Sequence, residues 1–465
     1  MPFYSPIYDE TRQRYIMKIV KDISIPVLNL AFPLILIQLC QASLGLINTM
    51  VAGRYNYLDL AGIGLGSNIW APVFILFTGI LYVLVPKFST LKHQQDNHQV
   101  VILLKQGKKV ALLLAMFGFL IIQLLAFLCP YFIDDAQVAV ITKNYLHFVA
   151  FAMPGLVYMI LYRFISEGHS QLRPIMMTFI ILLICDALLC FALVNGIGFL
   201  PEMGGAGTGL ATAISAYIAC FVMRYFVSHA VPEIKASEQH VQVSFQESLA
   251  LLKQGLPIGI TLVLQILALA TLAFFASKLG TKAIAAHQIV INVAMVIIMI
   301  PVAISSATTI RVAFFSATEN QRAKVLTSLT VAFFTLIYGA VMAMILILFA
   351  KDITGLFSQD QTVLQIASGL MHFVAIFLVF DALQTVASGV LRGLQQFMQP
   401  LFVILFCYWI IIIPLSYFMG VQGWLQPSPN VDVIWIILTC GISLAAVLLI
   451  IQSYRLLIKE NLKLG

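Results

Sequence analysis

Residues 325–350 read VLTSLTVAFFTLIYGAVMAMILILFA, an uninterrupted run without a single Asp, Glu, Lys or Arg. A helix needs about 20 apolar residues to cross the hydrocarbon core of a bilayer, so this run is long enough to span a membrane. Ten runs along the chain are wholly free of charged residues, and two more each contain one acid. Strands of membrane barrels alternate and are only about 10 residues long. The sequence therefore predicts an all-α membrane protein with twelve transmembrane helices.

The expected spans follow these apolar runs from one end of the chain to the other. They cover residues 23–53, 60–86, 110–133, 144–162, 174–195, 203–223, 254–277, 283–310, 325–350, 362–391, 399–420 and 433–454. Charged residues make up 10% of the chain, against about 25% in a soluble domain. The sequence contains no phosphate-binding loop and no HExxH motif. The seven Cys have no metal-ligand spacing. We expect no metal and no cofactor.

Basic residues are distributed unevenly over the loops. If the amino terminus is cytoplasmic, 21 of the 26 Lys and Arg residues lie on the cytoplasmic side. Cytoplasmic loops of membrane proteins carry such an excess, so we expect both termini in the cytoplasm. The net charge of +7 then reflects topology and gives no reason to expect a nucleic-acid partner.

The chain repeats itself at a nearly constant offset. His147–Ala150 recurs as His372–Ala375, 225 positions later. Other matched pairs, at offsets of 224 or 225, are Pro33 with Pro257, Gln41 with Gln265, Asn68 with Asn292, Asp135 with Asp360, and Gly168 with Gly393. Because six spans separate the copies, both halves run in the same direction, and such parallel repeats are typical of transporters.

We therefore predict two pseudo-symmetric six-helix bundles. The predicted parts are a cytoplasmic segment 1–24, an N-lobe 25–230, a cytoplasmic linker 231–248, a C-lobe 249–456 and a cytoplasmic tail 457–465. Two like bundles can rock against each other and open a central site to either face of the membrane. A duplicated scaffold without transport is the alternative.

Asp186 and Asp381 are the acids inside predicted spans. An ionisable residue in a membrane span is a functional candidate because its charge is costly there. Burial penalises the charged carboxylate, so either group could exchange a proton or hold a cation. The alternative is a structural acid bonded to a neighbouring helix. Arg163 and Glu167, which close span four, are expected in an exposed loop.

Several short motifs within residues 25–456 occur in a known transporter family. They are Phe32-Pro33, Asn48 to Gly53, Leu60-Ala61, Trp70-Ala71-Pro72, Gly255 to Gly259, Ala285 to Gln288, and Asp381 to Gln384 followed by Leu391-Arg392-Gly393. On these motifs the chain resembles the multidrug and toxic compound extrusion (MATE) family, nearest its NorM-like bacterial branch. The resemblance implies efflux of organic cations or amphipathic drugs in exchange for protons or sodium ions. It also implies the inner membrane of a bacterium, where we expect a monomer.

The chain departs from the family pattern where the resemblance places the coupling ion. Asp381 matches the acid of span ten, but Gln265 stands in place of a Glu and Phe377 in place of a Tyr. In the first half, Asn48 replaces an Asp, and Asp186 stands where many members carry Asn. We predict Asp381 and Asp186 as coupling residues, and as lining residues Gln265, Phe377, Asn48, Gln41 and Asn292.

These departures favour proton coupling. Sodium is a hard cation that needs several oxygen ligands, whereas a single acid still binds a proton. Alternatives within transporters are sodium coupling, a narrower substrate, or a lipid-linked saccharide flippase, which would favour a more cationic cavity. From a different class, a membrane-embedded enzyme would need Asp186 and Asp381 several ångströms apart, and the repeat places them in separate halves. We therefore expect a transporter and no enzymatic activity.

Overall fold

The computed structural model describes residues 24–198, 200–236, 242–424 and 430–461. Twelve helices in this part of the chain are long and apolar enough to cross a membrane, which confirms the predicted fold class. They are α1 Ile25–Tyr55, α2 Tyr57–Gln94, α3 Asn97–Tyr131, α4 Ala136–Gly168, α5 Arg173–Asn195, α6 Ala206–Ala230, α7 Phe245–Lys278, α8 Thr281–Ala317, α9 Gln321–Leu348, α10 Gln361–Gly393, α11 Met398–Val421 and α12 Val431–Ile458. The described residues contain no β-strand.

All five predicted segments fall partly outside the described residues, the N-lobe only at residue 199 and the C-lobe only at residues 425–429. The gaps are larger in the other three segments. They are the amino-terminal segment 1–24, the linker 231–248 and the tail 457–465, of which the structure describes residue 24, residues 231–236 and 242–248, and residues 457–461. The described part of the linker includes a short helix, Glu233–Ala236. A second short helix, Ala350–Gly355, follows α9.

Side-chain caps set the first turns of two repeat-related helices. Oδ1 of Asp135 accepts the backbone N–H groups of Gln137 at 2.8 Å and Val138 at 3.1 Å, at the start of α4. Asp360 starts α10 in the same way, accepting from residues 362 and 363 at 2.8 and 3.1 Å. An aspartate in this position satisfies backbone donors that have no partner inside the helix. The same cap geometry therefore recurs at two positions that the sequence repeat pairs.

The two helices that begin at these caps, α4 and α10, each pack against three other long helices. α4 packs against α2, α3 and α6, while α5 packs chiefly against α6. α10 packs in a similar way against α8, α9 and α12. α2 consists of two helical segments that meet at Val83, where one ends and the next begins. α11 contains two π-helical stretches, Leu405–Ile412 and Ser416–Val421, a feature that is frequent at functional sites.

The described residues form two compact units. Residues 36–263 make up one, called here the amino-terminal unit, and residues 24–35 with 264–461 make up the carboxyl-terminal unit. The divisions fall inside α1, shortly after Pro33, and inside α7, shortly after Pro257. The part of α1 up to Ile35 thus belongs to the carboxyl-terminal unit, and the part of α7 up to Val263 belongs to the amino-terminal unit. The lobe boundaries drawn from the sequence repeat stay a prediction.

The expectation for Arg163 and Glu167 was wrong, because both lie inside α4 and are buried, 8% and 0% exposed. Their ion pair, Nε to Oε2 at 3.6 Å, joins successive turns of the helix. The guanidinium also lies over the rings of Phe164 and Phe179, at 5.6 and 5.5 Å from their centroids. The ion pair and the aromatic contacts lower the cost of burying these two charges. Because the predicted span stops at the first charged residue, it ends before α4 does.

Candidate functional site

The amino-terminal unit contains a cavity of about 260 Å³. Five helices line it, namely α1, α2, α4, α5 and α6. Its polar or aromatic lining residues are Gln41, Asn48, Thr49, Ser67, Trp70, Phe74, Tyr145, Phe179, Asp186, Thr212 and Ser215. Asp186 is the one charged residue among all the side chains that line this cavity, and no Lys or Arg is present there.

Asp186 meets neutral partners. Its side chain is 2% exposed, and Oδ1 accepts the hydroxyl of Ser215 at 2.7 Å. The Asn48 amide also acts on the carboxylate, and Nδ2 of Asn48 lies 3.4 Å from Oγ1 of Thr212. Oδ2 of Asp186 and Oδ1 of Asn48 are buried without a hydrogen-bond partner. Among the described residues no ion pair neutralises this acid, so it can take up a proton or attract a cation.

One wall of the cavity is built around the hydroxyl of Tyr145. Nε1 of Trp70 donates to this oxygen at 3.0 Å, and Oγ of Ser67 lies 3.3 Å from it. The Tyr145 ring fits because Gly66 on α2 has no side chain, and a Cβ there would collide with the ring. The bonds hold the indole and phenol rings in fixed positions. Aromatic faces of this kind attract organic cations.

The carboxyl-terminal unit holds the second predicted acid. Asp381 lies on α10 and is 8% exposed. No hydrogen bond or ion pair to its carboxylate is found within the described part of the chain. The phenol of Tyr408 on α11 lies close enough to interact with it electrostatically. Its charge, when present, is therefore stabilised only weakly.

Tyr408 connects three polar side chains of this unit. Nε2 of Gln384, one turn beyond Asp381, donates to the Tyr408 hydroxyl at 3.2 Å. The side chain of Gln265 on α7 also hydrogen-bonds this phenol. Next to it on α11, Nε1 of Trp409 donates to the backbone carbonyl of Leu264 at 3.2 Å. α11 thus fixes the position of Gln265 relative to the acid on α10.

Phe377 belongs to an aromatic cluster one turn before Asp381. Its ring lies edge-on to Trp435, with centroids 5.9 Å apart, and the ring of His287 lies 5.6 Å from Trp435 on another side. Phe377, Trp435 and His287 are 2%, 0% and 1% exposed. The two imidazole nitrogens and the indole Nε1 have no hydrogen-bond partner. Phe377 therefore packs against buried rings and supplies no ligand atom.

The sequence repeat relates the two sites. Gln41 lines the cavity of the amino-terminal unit, and its repeat mate Gln265 bonds the phenol near Asp381. Leu156, which is the position that matches Asp381 at offset 225, also lines that cavity. The Gln41–Gln265 pair therefore supplies a polar group in both units, whereas the apolar Leu156 matches Asp381, and the acid lies on α5 in one unit and on α10 in the other.

The structure brings most of the predicted residues into these two groups. Gln41, Asn48 and Asp186 share the cavity, while Gln265 and Asp381 meet through Tyr408. The last predicted residue, Asn292, lies on an exposed face of α8. No hydrogen bond from it to either acid is found among the described residues.

Sequence reasoning missed the neutral partners. These are Ser67, Trp70, Tyr145, Thr212 and Ser215 in the amino-terminal unit, and His287, Gln384, Tyr408 and Trp435 in the other. Hydroxyl and aromatic residues are common in the spans, and a single sequence gives no sign of which ones face an acid. Trp70, Gln384 and His287 do lie inside the motifs that carry the family resemblance. The described residues contain no cluster of three or more His, Cys, Asp or Glu that could hold a metal ion.

Comparison with known proteins gives a consistent result over most of the chain. A family model described as MatE matches residues 33–192 and 257–418, one segment in each half of the repeat. A probable multidrug resistance protein NorM of Acinetobacter baylyi is 31% identical over 435 residues, covering 92% of this chain and 95% of that protein. The multidrug resistance protein MdtK of Yersinia pestis is 28% identical over 435 residues, covering 91% and 94%.

A solved structure shares the fold. It is a mutant of the Vibrio cholerae MATE transporter VcmN, which superposes with a TM-score of 0.83 at 16% identity. The superposition covers 96% of this chain and 100% of that one. The fold is therefore shared at low sequence identity.

Proposed function

This chain belongs to the multidrug and toxic compound extrusion (MATE) family of multidrug efflux transporters, and from that premise we propose that it exports organic cations in exchange for protons. It is a multi-pass protein of the inner membrane, given its twelve spanning helices and its bacterial relatives. Members of the family are transporters and not enzymes, so an enzyme using Asp186 and Asp381 as paired acids is excluded. We also propose that both termini are cytoplasmic, on the charge distribution, and that the chain acts as a monomer.

One observation carries the proposal: Asp186 lines a cavity in which it meets only neutral groups. A carboxylate in a dry, uncharged setting binds a proton more readily than one in water. The same negative charge, beside the rings of Trp70 and Tyr145, attracts a flat organic cation. A proton and a cation therefore compete for one group, which is the requirement for exchange.

In the carboxyl-terminal unit, Asp381 is a second acid for which a proton and a cation could compete. It is buried and close to a phenol, and no basic partner of it is found among the described residues. In the proposed cycle, protons bind Asp381 and Asp186 from outside and the substrate leaves. After the units open inward, the protons leave and a new cation binds. One pH unit supplies about 1.4 kcal/mol per proton, and the membrane potential adds about 2.3 kcal/mol per charge per 100 mV.

Sodium is the second candidate for the coupling ion, and one observation favours it. Oδ2 of Asp186 and Oδ1 of Asn48 are both buried without a partner, and the hydroxyl oxygens of Thr212 and Ser215 line the same cavity. Oxygen atoms of this kind are the ligands that hard cations prefer. The site nevertheless has one carboxylate, so we place proton coupling first.

The lining of the cavity also separates drug export from saccharide transport. A flippase for lipid-linked saccharides must accept a phosphate group, for which basic side chains are the usual partners. Among the described residues that line this cavity there is one acid and no Lys or Arg. This charge supports cationic or amphipathic substrates.

The test is dye flux in reconstituted vesicles. Ethidium export is measured with a pH gradient alone and then with a sodium gradient alone, in the original chain and in Asp186→Asn and Asp381→Asn. We expect export with the pH gradient, and its loss in both variants. Asp352→Asn, which neutralises an exposed acid in a short helix, is the matched control and should export normally. Export that responds only to sodium would contradict proton coupling, and undiminished export in both variants would remove the mechanism.

A further inference from the structure

Two helices of the amino-terminal unit cross with their backbones in contact. Gly79 on α2 faces Gly259 on α7, where an added Cβ would come within 2.7 Å of the Gly259 backbone nitrogen. A Cβ at Gly259 would in turn lie 2.5 Å from the carbonyl oxygen of Leu76. One turn earlier on α7, Gly255 packs on the carbonyl of Ile80 so closely that a side chain there would collide with it. Glycines spaced four apart permit this close approach of two membrane helices.

Among the described residues, no hydrogen bond or ion pair is found between the side chains of α2 and α7 at this crossing. Its contacts join glycine backbone, main-chain carbonyls and the apolar side chains of Leu76 and Ile80. Contacts of this type gain dispersion energy only at close range and lose it over a small displacement. The surface can therefore close tightly and separate again without leaving a charged group unpaired in the membrane.

Polar contacts also hold the amino-terminal end of α7. Nζ of Lys109 on α3 donates to the carbonyl of Val243, which precedes α7. Nε2 of Gln106 lies 3.5 Å from Oε2 of Glu247 in the first turn of α7. Glu247 is exposed, so water can replace its bond at little cost.

A proline lies within the docked segment of α7. Pro257 sits between the two glycines of α7 and has no N–H, so it removes a bond from the helix and promotes bending. The amino-terminal unit ends shortly afterwards at Val263, and the rest of α7 belongs to the other unit. Residues 245–263 thus belong to the amino-terminal unit, and the same helix continues into the carboxyl-terminal unit.

We propose that residues 245–263 form an inner gate, docked on α2 through the Gly79–Gly255–Gly259 crossing in this structure and released from α2 when the cytoplasmic side opens. This proposal rests on the alternating access described above. The glycines set the closed position, and a bend of α7 at Pro257 accompanies its release from α2.

Thiol labelling tests the gate without substrate or ion gradient. The reporter is Ile258→Cys, 4% exposed in the crossing, in a chain whose seven native Cys are replaced. Adding Gly79→Ala places a Cβ in the contact and should raise the labelling rate by about tenfold, the factor for roughly 1.4 kcal/mol. The control is Gly64→Ala on the same helix, where a Cβ meets nothing within 4 Å. An unchanged rate with Gly79→Ala would overturn the proposal.

A reversible cross-link supplies a second test that needs no change in the glycines. Gln106→Cys with Glu247→Cys is joined by a bifunctional methanethiosulfonate, which should protect the Ile258→Cys thiol and stop ethidium export until reductant is added. The control pair is Tyr55→Cys with Glu202→Cys, at a hydrogen bond of 2.8 Å elsewhere in the same unit, and its cross-link should leave labelling unchanged. Full export and labelling in the cross-linked Gln106/Glu247 protein would refute the gate. If the labelling of Ile258→Cys changes as expected but the protein exports no dye, the result would instead count against the proposed function.

Discussion

Ser215 donates its hydroxyl to Oδ1 of Asp186 at 2.7 Å, while Oδ2 of the same carboxylate remains without a hydrogen-bond partner. One oxygen is held in place, and the other is left for a proton or a cation. Ser215 also lies within 2.7 Å of the backbone carbonyl of Ala211 on its own helix. A hydroxyl has one hydrogen to donate, so these two acceptors compete for it and the choice depends on the charge of Asp186.

Ser215→Ala should therefore impair exchange and leave the fold intact. The variant removes the donor that stabilises the charged carboxylate, and a hydrogen bond to a charged group contributes about 1.5–3 kcal/mol. We expect the affinity for ethidium to fall by roughly tenfold or more, measured by dye binding at a fixed pH. Ser228→Ala, at a half-buried position on the same helix where the hydroxyl bonds the carbonyl of Tyr225, is the control. Equal affinities in the two variants would show that Ser215 does not act on the site.

Tyr408→Phe should destabilise the carboxyl-terminal unit. The phenol oxygen accepts from Nε2 of Gln384 and bonds Gln265, and both amides lose a partner without it. Leaving a buried polar group unsatisfied costs about 1–3 kcal/mol. We expect a lower midpoint of thermal unfolding in detergent. Tyr131→Phe, which removes a hydroxyl from a side chain 75% exposed, should leave the midpoint unchanged, and the prediction fails if both variants unfold together.

Asp59→Ala should weaken the start of α6. Asp59 on α2 is 7% exposed, and its Oδ1 accepts the backbone N–H of Gly205 at 2.6 Å, immediately before Ala206. An acid at this end of a helix satisfies a free donor and complements the helix dipole. Its loss should reduce the free energy of unfolding by about 1.5–3 kcal/mol. Asp352→Ala serves as the comparison in denaturant titrations, and equal stability of the two variants would exclude this capping role.

The free energy of unfolding should decrease in mild acid because His169 is buried in the folded chain. This residue directly follows α4 and is 3% exposed, with Nδ1 2.7 Å from the carbonyl of Ile165. Burial holds the pKa of His169 below its usual range, although the Ile165 carbonyl opposes that effect. The folded chain therefore binds this proton less readily than the unfolded chain. The contribution is fully present above the unfolded pKa of about 6.5 and is lost as the pH falls below it.

The comparison variant is His169→Gln, which keeps a donor near Ile165 and cannot titrate in this range. Thermal unfolding is followed from pH 7.5 to pH 5, and we expect the original chain to lose stability more steeply than the variant. His98→Gln, at an exposed position in the first turn of α3, should behave like the original chain. Parallel curves for all three proteins would contradict the assignment to His169.

Much of the fold could be predicted from the sequence because its physical cause is local. A run such as 325–350 can satisfy its backbone only as a helix when it lies in lipid, and no distant contact changes that. The repeat likewise appears in single residues, and the caps of Asp135 and Asp360 have the same geometry. Helix ends were less predictable, since Arg163 and Glu167 continue α4 by neutralising each other.

The candidate site was only half visible in the sequence. Asp186 and Asp381 are conspicuous because a charge in a span is costly wherever the chain folds. Their partners Ser215 and Tyr408 resemble many other hydroxyl residues until the helices pack, and the repeat-related pair Asn68 and Asn292 lies at exposed positions of α2 and α8.

Sequence alone determined that this chain crosses the membrane twelve times and carries two acids inside its long apolar runs, because both properties depend on the cost of placing single residues in hydrocarbon. Tertiary structure alone decided that Asp186 opens on a cavity, that Asp381 lies beside Tyr408, and that Gly79 meets Gly259. These relationships join residues far apart in the chain. They arise only when helix surfaces fit together, and the pattern along one helix carries no record of the helix it will meet.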